Sequence, residues 1–226
     1  MTPSGAPCTG SDTPGSDRAT SWTPTPSATK KRRIRRQIRA LPRRSVVLAE
    51  DETDLLLFPP LRAGWSLRGE PAAVHISGRN ARRAVFGAMN LSTGTRLLLP
   101  QPKGRAANFQ AFLKEVRRRY RGWHVAILLD EDPSHTAKGS LRAAEGMTLM
   151  WLPKRAPELN PMDTLWGQGK DVIAANKQYA AIEDQVDRFL NHLLSMSGRE
   201  ALHTSGVLSD NFWLRTALSK NFCGPA

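Results

Sequence analysis

Two aspartates in this sequence each follow a short apolar segment directly. Val46–Ala49 leads into Glu50 and Asp51, and Val125–Leu129 leads into Asp130. Short apolar runs of this kind are typical of buried strands, and ligand sites in open α/β sheets lie beyond the carboxyl ends of strands. Neighbouring parallel strands lie about 4.8 Å apart, so adjacent strands would bring the two carboxylates together. Because two close carboxylates repel, the pattern predicts a cation between them.

A third acid, Asp163, follows Pro161, which suits the first turn of a helix. A helix N-terminus tolerates negative charge, so Asp163 could reach the same point from the helix after the next strand. Three oxygen ligands with open coordination positions suit Mg²⁺ or Mn²⁺, and two such ions about 3.5–4 Å apart support in-line phosphoryl transfer. From position alone, the alternative of ordinary strand-end and helix-cap aspartates stays open. Alternation along the strand places Glu50 and Glu52 on the opposite face, which excludes them as ligands.

The elements that must hold these acids follow from hydrophobic periodicity. After the first strand, the sequence predicts a small hairpin over 54–58 and 65–68 and a second hairpin over 84–90 and 96–99. Strand–helix alternation follows, with predicted helices over 108–120, 137–145, 161–176 and 181–195 and strands over 125–129 and 148–152. An antiparallel group followed by such alternation favours an α/β fold with a mixed sheet and helices on both faces.

Charge divides the chain into a cationic tail and a milder remainder. The net charge is +13, and residues 1–44 carry ten basic and two acidic side chains. Residues 1–29 are rich in Ser, Thr, Pro and Gly, which predicts a disordered tail; 30–44 is predicted as a basic linker and 45–220 as one folded domain. A polyanion is the expected partner, and charge alone admits DNA or an anionic membrane surface. No apolar run reaches the ~18–20 residues of a membrane helix.

Several basic side chains are candidate DNA contacts. Lys154, Arg155 and Lys170 flank the third acid and could contact phosphates, but they could equally form a solvated basic rim. His135 could orient Asp130, contact a substrate phosphate or cap the next helix. The basic run over 30–39 could form a helix before Pro42. It is equally well interpreted as a solvated linker or a phosphate-contacting arm, with the candidates Arg32, Arg33, Arg35 and Arg36.

Three blocks of sequence carry a family resemblance. AEDET at 49–53, followed by LFPPLR at 57–62, resembles the first catalytic block of DDE transposases, in the bacterial insertion-sequence branch related to mariner elements. LLDEDPSH at 128–135 is similar to the second block, in which an aspartate precedes a histidine by five residues. LPKRAPELNPMDTLW at 152–166 resembles the third and most specific block, with Asp163 where glutamate is more frequent.

The resemblance implies a ribonuclease-H-like core in which Asp51, Asp130 and Asp163 bind two Mg²⁺ or Mn²⁺ ions. It implies cleavage at insertion-sequence ends and attack of the freed 3′-hydroxyl on target DNA, in the bacterial cytoplasm at the nucleoid. Such transposases carry a helix-turn-helix domain, which is not found here, so end recognition is expected from a homodimer or from a domain on another chain. The open alternatives are a non-catalytic DNA-binding remnant of a truncated transposase and a related ribonuclease-H-like nuclease.

Overall fold

The structure is a computed structural model that describes residues 26–70 and 73–218. Residues 1–25 of the predicted disordered tail lie outside the described residues. Its last four positions fall within the first described helix.

Five strands form one mixed sheet in the order β3-β2-β1-β4-β5. Strand β1 pairs antiparallel with β2, and β2 pairs antiparallel with β3. On its other side β1 pairs parallel with β4, which pairs parallel with β5. The predicted mixed sheet is therefore confirmed. The strands are β1 (Ser45–Leu56), β2 (Arg82–Asn90), β3 (Arg96–Gln101), β4 (His124–Leu129) and β5 (Thr148–Trp151).

Helices cover both faces of the sheet, as predicted. One face, with Val46 and Ile127, packs against the helix after β3; the other, with Val47 and Leu128, packs against the two long helices after β5. This two-sided burial explains why β1 and β4 begin as continuous apolar runs. The helices are α1 (Pro26–Arg39), α2 (Ala106–Arg119), α3 (Pro133–Thr136), α4 (Lys138–Ala143), α5 (Pro161–Ile173), α6 (Ile182–Ser195), α7 (Gly198–Thr204) and α8 (Arg215–Leu218).

The predicted small hairpin over 54–58 and 65–68 was wrong. Strand β1 instead continues to Leu56, where it still pairs with Arg82 of β2. Pro59 and Pro60 follow directly, and proline has no N–H to extend a ladder. Within the described residues, the stretch between β1 and β2 holds no strand.

Helix α1 differs from the predicted basic linker. Ile34 and Ile38 are buried in the main core, and Arg35 Nε donates to the Trp213 carbonyl oxygen at 2.8 Å. The isoleucines are four residues apart and so share one helix face. The basic run is therefore an amphipathic helix packed on the folded domain. Across 26–70 and 73–218, the helices are too short or too polar to cross a membrane.

Gly87 of β2 lies directly across from Asp51 of β1, and the indole of Trp166 in α5 packs on it. A Cβ at Gly87 would lie 2.6 Å from Trp166 Cζ2 and 2.8 Å from Met162 Cε. The glycine thus lets α5 approach the sheet beside the first acid.

We expect Gly87→Ala to destabilise the protein by about 1–3 kcal/mol, because overpacking forces α5 away from the sheet. Thermal and urea unfolding measure the change. Gly167→Ala is the matched control, since a Cβ there meets nothing within 4 Å and alanine favours the helix. Equal stability of Gly87→Ala and the wild type would contradict this packing.

Candidate active site

The parallel pairing of β1 with β4 aligns the first two acids. The last paired residues are Ala49 and Leu128, and the same register two positions further places Asp51 opposite Asp130. Side chains alternate along a strand, so both aspartates lie on the face that packs against α5. The strand pairing thus brings the two acids to one edge of the sheet, while their role as metal ligands stays a prediction.

The third acid is brought to the same place by Asn160, which sequence reasoning missed. Its Oδ1 accepts from the Met162 N–H at 3.1 Å and caps α5, while its Nδ2 donates to the Glu50 carbonyl oxygen at 2.8 Å. One buried amide therefore fixes the start of α5 to β1 beside Asp51. Asp163 lies in the first turn of that helix. The signal available in the sequence was an asparagine directly before a helix-starting proline.

These three aspartates line a common cleft of about 450 Å³. Burial, followed by the negative charges of Glu52, Asp130 and Asp163, raises the pKa of Asp51 from 3.8 to about 7. The three carboxylates therefore interact electrostatically across the cleft. A second set, Glu50, Glu52 and His135, has its possible ligand atoms all within 4.8 Å of one another. Among the described residues it is the one set that close, so the oxygens of the three aspartates lie farther apart.

That second set lies on the other face of β1 and contacts the site through His135. The His135 Nδ1 lies 2.9 Å from Asp130 Oδ1, and its Nε2 lies 3.1 Å from Glu52 Oε2 and 3.8 Å from Glu50 Oε2. Burial disfavours the imidazolium, but bonding to Asp130 and Glu52 and the charge of Glu50 raise the pKa of His135 to about 11. In turn, the hydrogen bond from His135 lowers the pKa of Asp130.

His135 was predicted among the DNA contacts, and the structure corrects that placement. Its side chain is 1% exposed, so it cannot reach a phosphate. Of the roles left open by the sequence, the geometry favours orientation of Asp130.

The other predicted basic residues lie in three places. Lys154 and Arg155 line the cleft, with the Lys154 side chain 79% exposed. Lys170 lines a neighbouring cavity with Asp54. Burial lowers the pKa of Lys170, and the negative charges of Asp54, Asp163 and Asp51 partly oppose that shift.

Helix α1 carries the remaining candidates beside the cleft. Arg32, Arg33 and Arg36 are exposed, whereas Arg35 is held by the carbonyl of Trp213. The structure adds Lys30, which sequence reasoning had left within the linker. Its Nζ lies 2.7 Å from Oε1 of Glu131, a cleft residue, and therefore joins α1 to the rim of the site.

Comparisons with known proteins settle the family. A profile described as DDE superfamily endonuclease matches residues 46–185. The chain belongs to this family. The matched range of this DDE chain contains all three aspartates and, apart from Ser45, the whole sheet.

Two relatives are similar in sequence. The DDE chain is 26% identical over 140 residues to the "Insertion element IS630 uncharacterized 39 kDa protein" of Shigella sonnei, across 60% of this chain and 41% of that protein. It is 32% identical over 105 residues to the "Uncharacterized protein y4pE/y4sA" of Sinorhizobium fredii, across 45% of this chain and 76% of that protein. The chain thus spans under half the length of the Shigella relative.

Solved structures of Mos1 transposase share the fold. A paired-end complex with the left transposon end matches with a TM-score of 0.61 at 18% identity, over 86% of this chain and 62% of that one. The isolated catalytic domain of Mos1 mariner transposase matches with a TM-score of 0.56 at 14% identity, over 84% and 90%. The predicted ribonuclease-H-like fold of the DDE chain is confirmed.

The raised pKa of Asp51 predicts a pH-dependent stability in the absence of divalent metal. A carboxyl whose pKa rises on folding stabilises the fold only while protonated. The contribution is full below the unfolded value near 3.8 and is lost as the pH rises to about 7. The loss is at most about 1.4 kcal/mol per pH unit.

Chemical denaturation of the DDE chain in chelator, between pH 4 and 8, measures this loss. The free energy of unfolding of wild type should fall relative to Asp51→Asn, which cannot ionise, and Asp187→Asn should follow wild type. Parallel pH profiles for wild type and Asp51→Asn would show that folding does not raise the pKa of Asp51.

Proposed function

We propose that this chain is the catalytic domain of a DNA transposase, which cleaves DNA at the ends of an insertion sequence and joins the freed 3′-end to target DNA. One observation carries the proposal: two in-register strand ends and one capped helix start bring Asp51, Asp130 and Asp163 to a cleft with a basic rim. The Shigella relative is an insertion-element protein, and one of the similar Mos1 structures is a complex with a transposon end, which supports DNA as the substrate.

The donor set fits Mg²⁺ or Mn²⁺. Three carboxylates supply hard oxygen ligands and leave positions for water and phosphate oxygens. After burial, the negative charges of Asp130 and Asp163 contribute to the raised pKa of Asp51, and a bound cation would offset them. Mos1 complexes with Mg and with Mn have the same fold. Two such ions, when bound, would activate the attacking oxygen and stabilise the leaving 3′-oxygen.

The protein's own groups hold this arrangement and the substrate. His135 fixes the orientation of Asp130 from below through its Nδ1, and Asn160 fixes the first turn of α5 against β1. Lys154 and Arg155 lie on the rim, where they can bind phosphates on either side of the reacting one. Lys170 lies further along α5 and offsets the negative charge of Asp163 and Asp51.

DNA outside the cleft can follow the exposed arginines of α1. Arg32, Arg33 and Arg36 are exposed on the helix whose Lys30 contacts the cleft residue Glu131. Phosphate contacts of this kind position DNA without reading its sequence. We propose that a second copy of the chain, or a recognition domain on another chain, acts together with these contacts on the element ends at the nucleoid.

The test is divalent-metal-dependent cleavage and strand transfer on DNA that carries the element's ends. Asp51→Asn, Asp130→Asn and Asp163→Asn should each lower the cleavage rate by roughly 1,000-fold, or about 4 kcal/mol of activation free energy, because each removes a metal ligand. Asp163→Glu should retain activity, since it keeps the carboxylate.

Asp187→Asn is the control, because this exposed side chain lies on α6 outside the cleft. Wild-type rates in any one of the three cleft variants would remove that residue from the site. DNA binding by the wild type without cleavage in Mg²⁺ or Mn²⁺ would favour the non-catalytic remnant. Cleavage without strand transfer would favour a nuclease.

A further inference from the structure

A second cavity lies at the opposite end of the sheet from the aspartates. It has a volume of about 500 Å³ and is formed by the last turns of α2, the turn into β4 and the turn into β5. We call it the rear groove. Val125 of β4 lines it, whereas Asp130 follows the other end of the same strand, so five residues, or roughly 16 Å, separate the two sites.

The charged side chains that line the rear groove are all basic. Lys114, Arg117, Arg118 and Arg121 line it, and no acidic side chain does. Arg118 is paired with Glu115, and Arg117 donates to the carbonyl oxygens of Ala143 and Glu145.

Two of the four cations are free for a ligand. Lys114 and Arg121 are exposed and have no hydrogen-bond or ion-pair partner within 26–70 and 73–218. The paired Arg117 and Arg118 keep the wall of the groove in place beside them.

An aromatic side chain and a strained residue complete the surface. Trp123 lines the groove, and the Arg44 guanidinium lies 5.4 Å from the centre of its ring. Arg44 has a φ of 60°, a conformation that costs a non-glycine residue about 1–2 kcal/mol. Its carbonyl accepts from the His124 N–H at 3.0 Å. The contact with Trp123 places the guanidinium of Arg44 at the edge of the groove.

We infer that the rear groove binds the phosphate backbone of duplex DNA, in a segment other than the one in the catalytic cleft. Unpaired cations around an open, partly apolar groove are the groups that contact phosphate and sugar. Because the two sites lie at opposite ends of β4, DNA in the rear groove is a segment outside the catalytic cleft. The choice of DNA over an acidic polypeptide rests on the proposed function.

The test is equilibrium binding of duplex DNA to the full chain in the presence of chelator. Fluorescence anisotropy measures the binding at several salt concentrations. Each phosphate contact contributes about 0.9 to the slope of log K against log salt. Lys114→Ala with Arg121→Ala should therefore bind more weakly and reduce the slope by about 1.8. The charge-preserving pair Lys114→Arg with Arg121→Lys should keep the wild-type slope.

Lys103→Ala with Arg199→Ala removes the same charge from exposed positions outside the groove. A wild-type slope for Lys114→Ala with Arg121→Ala, or an equal loss in this control, would overturn the inference. A loss of affinity for poly-glutamate without loss of DNA affinity would overturn it in favour of an acidic protein partner. Because binding is measured without metal, failure of the cleavage test would leave this result interpretable.

Discussion

The parallel, in-register pairing of β1 with β4 is the constraint on which the rest of the structure depends. Continued two positions past the last paired residues, Ala49 and Leu128, this register puts Asp51 opposite Asp130 at the carboxyl end of the sheet. A shift of one residue would move one aspartate to the other face of the sheet. The two hydrophobic cores prevent this shift, because each face of β1 and β4 is already covered by helices. The folding energy of the apolar residues thus holds two like charges together.

The pKa values of these two neighbouring carboxyls are shifted in opposite directions. Asp51 has burial and three nearby acids, which raise its pKa to about 7. Asp130 has the imidazole of His135, whose hydrogen bond lowers its pKa. His135 in turn lies among Glu50 and Glu52, on the opposite face of the strand. Without a metal, burial and the nearby negative charges favour the protonated form of Asp51, and a divalent cation in the cleft would favour the carboxylate.

The parts of the site that sequence could predict are those encoded by local pattern. Apolar runs ending in Asp51 and Asp130 indicated strand ends, and Pro161 indicated the helix that carries Asp163. Asn160 was missed because its role is a contact with the backbone of Glu50, 110 positions away. His135 was predicted to contact DNA because the sequence alone does not show that its side chain is buried. Helix α1 appeared as a linker because its charge obscured Ile34 and Ile38, which pack on the core.

A crystal structure of the chain soaked in Mn²⁺, with anomalous scattering, tests the central claim most directly. The account predicts two peaks about 3.5–4 Å apart in the cleft, bound by Asp51, Asp130 and Asp163. The buried set of Glu50, Glu52 and His135 provides the contrast, because its ligand atoms are the more tightly grouped in the described chain. Manganese bound there, with none at the three aspartates, would contradict the assignment of the active site.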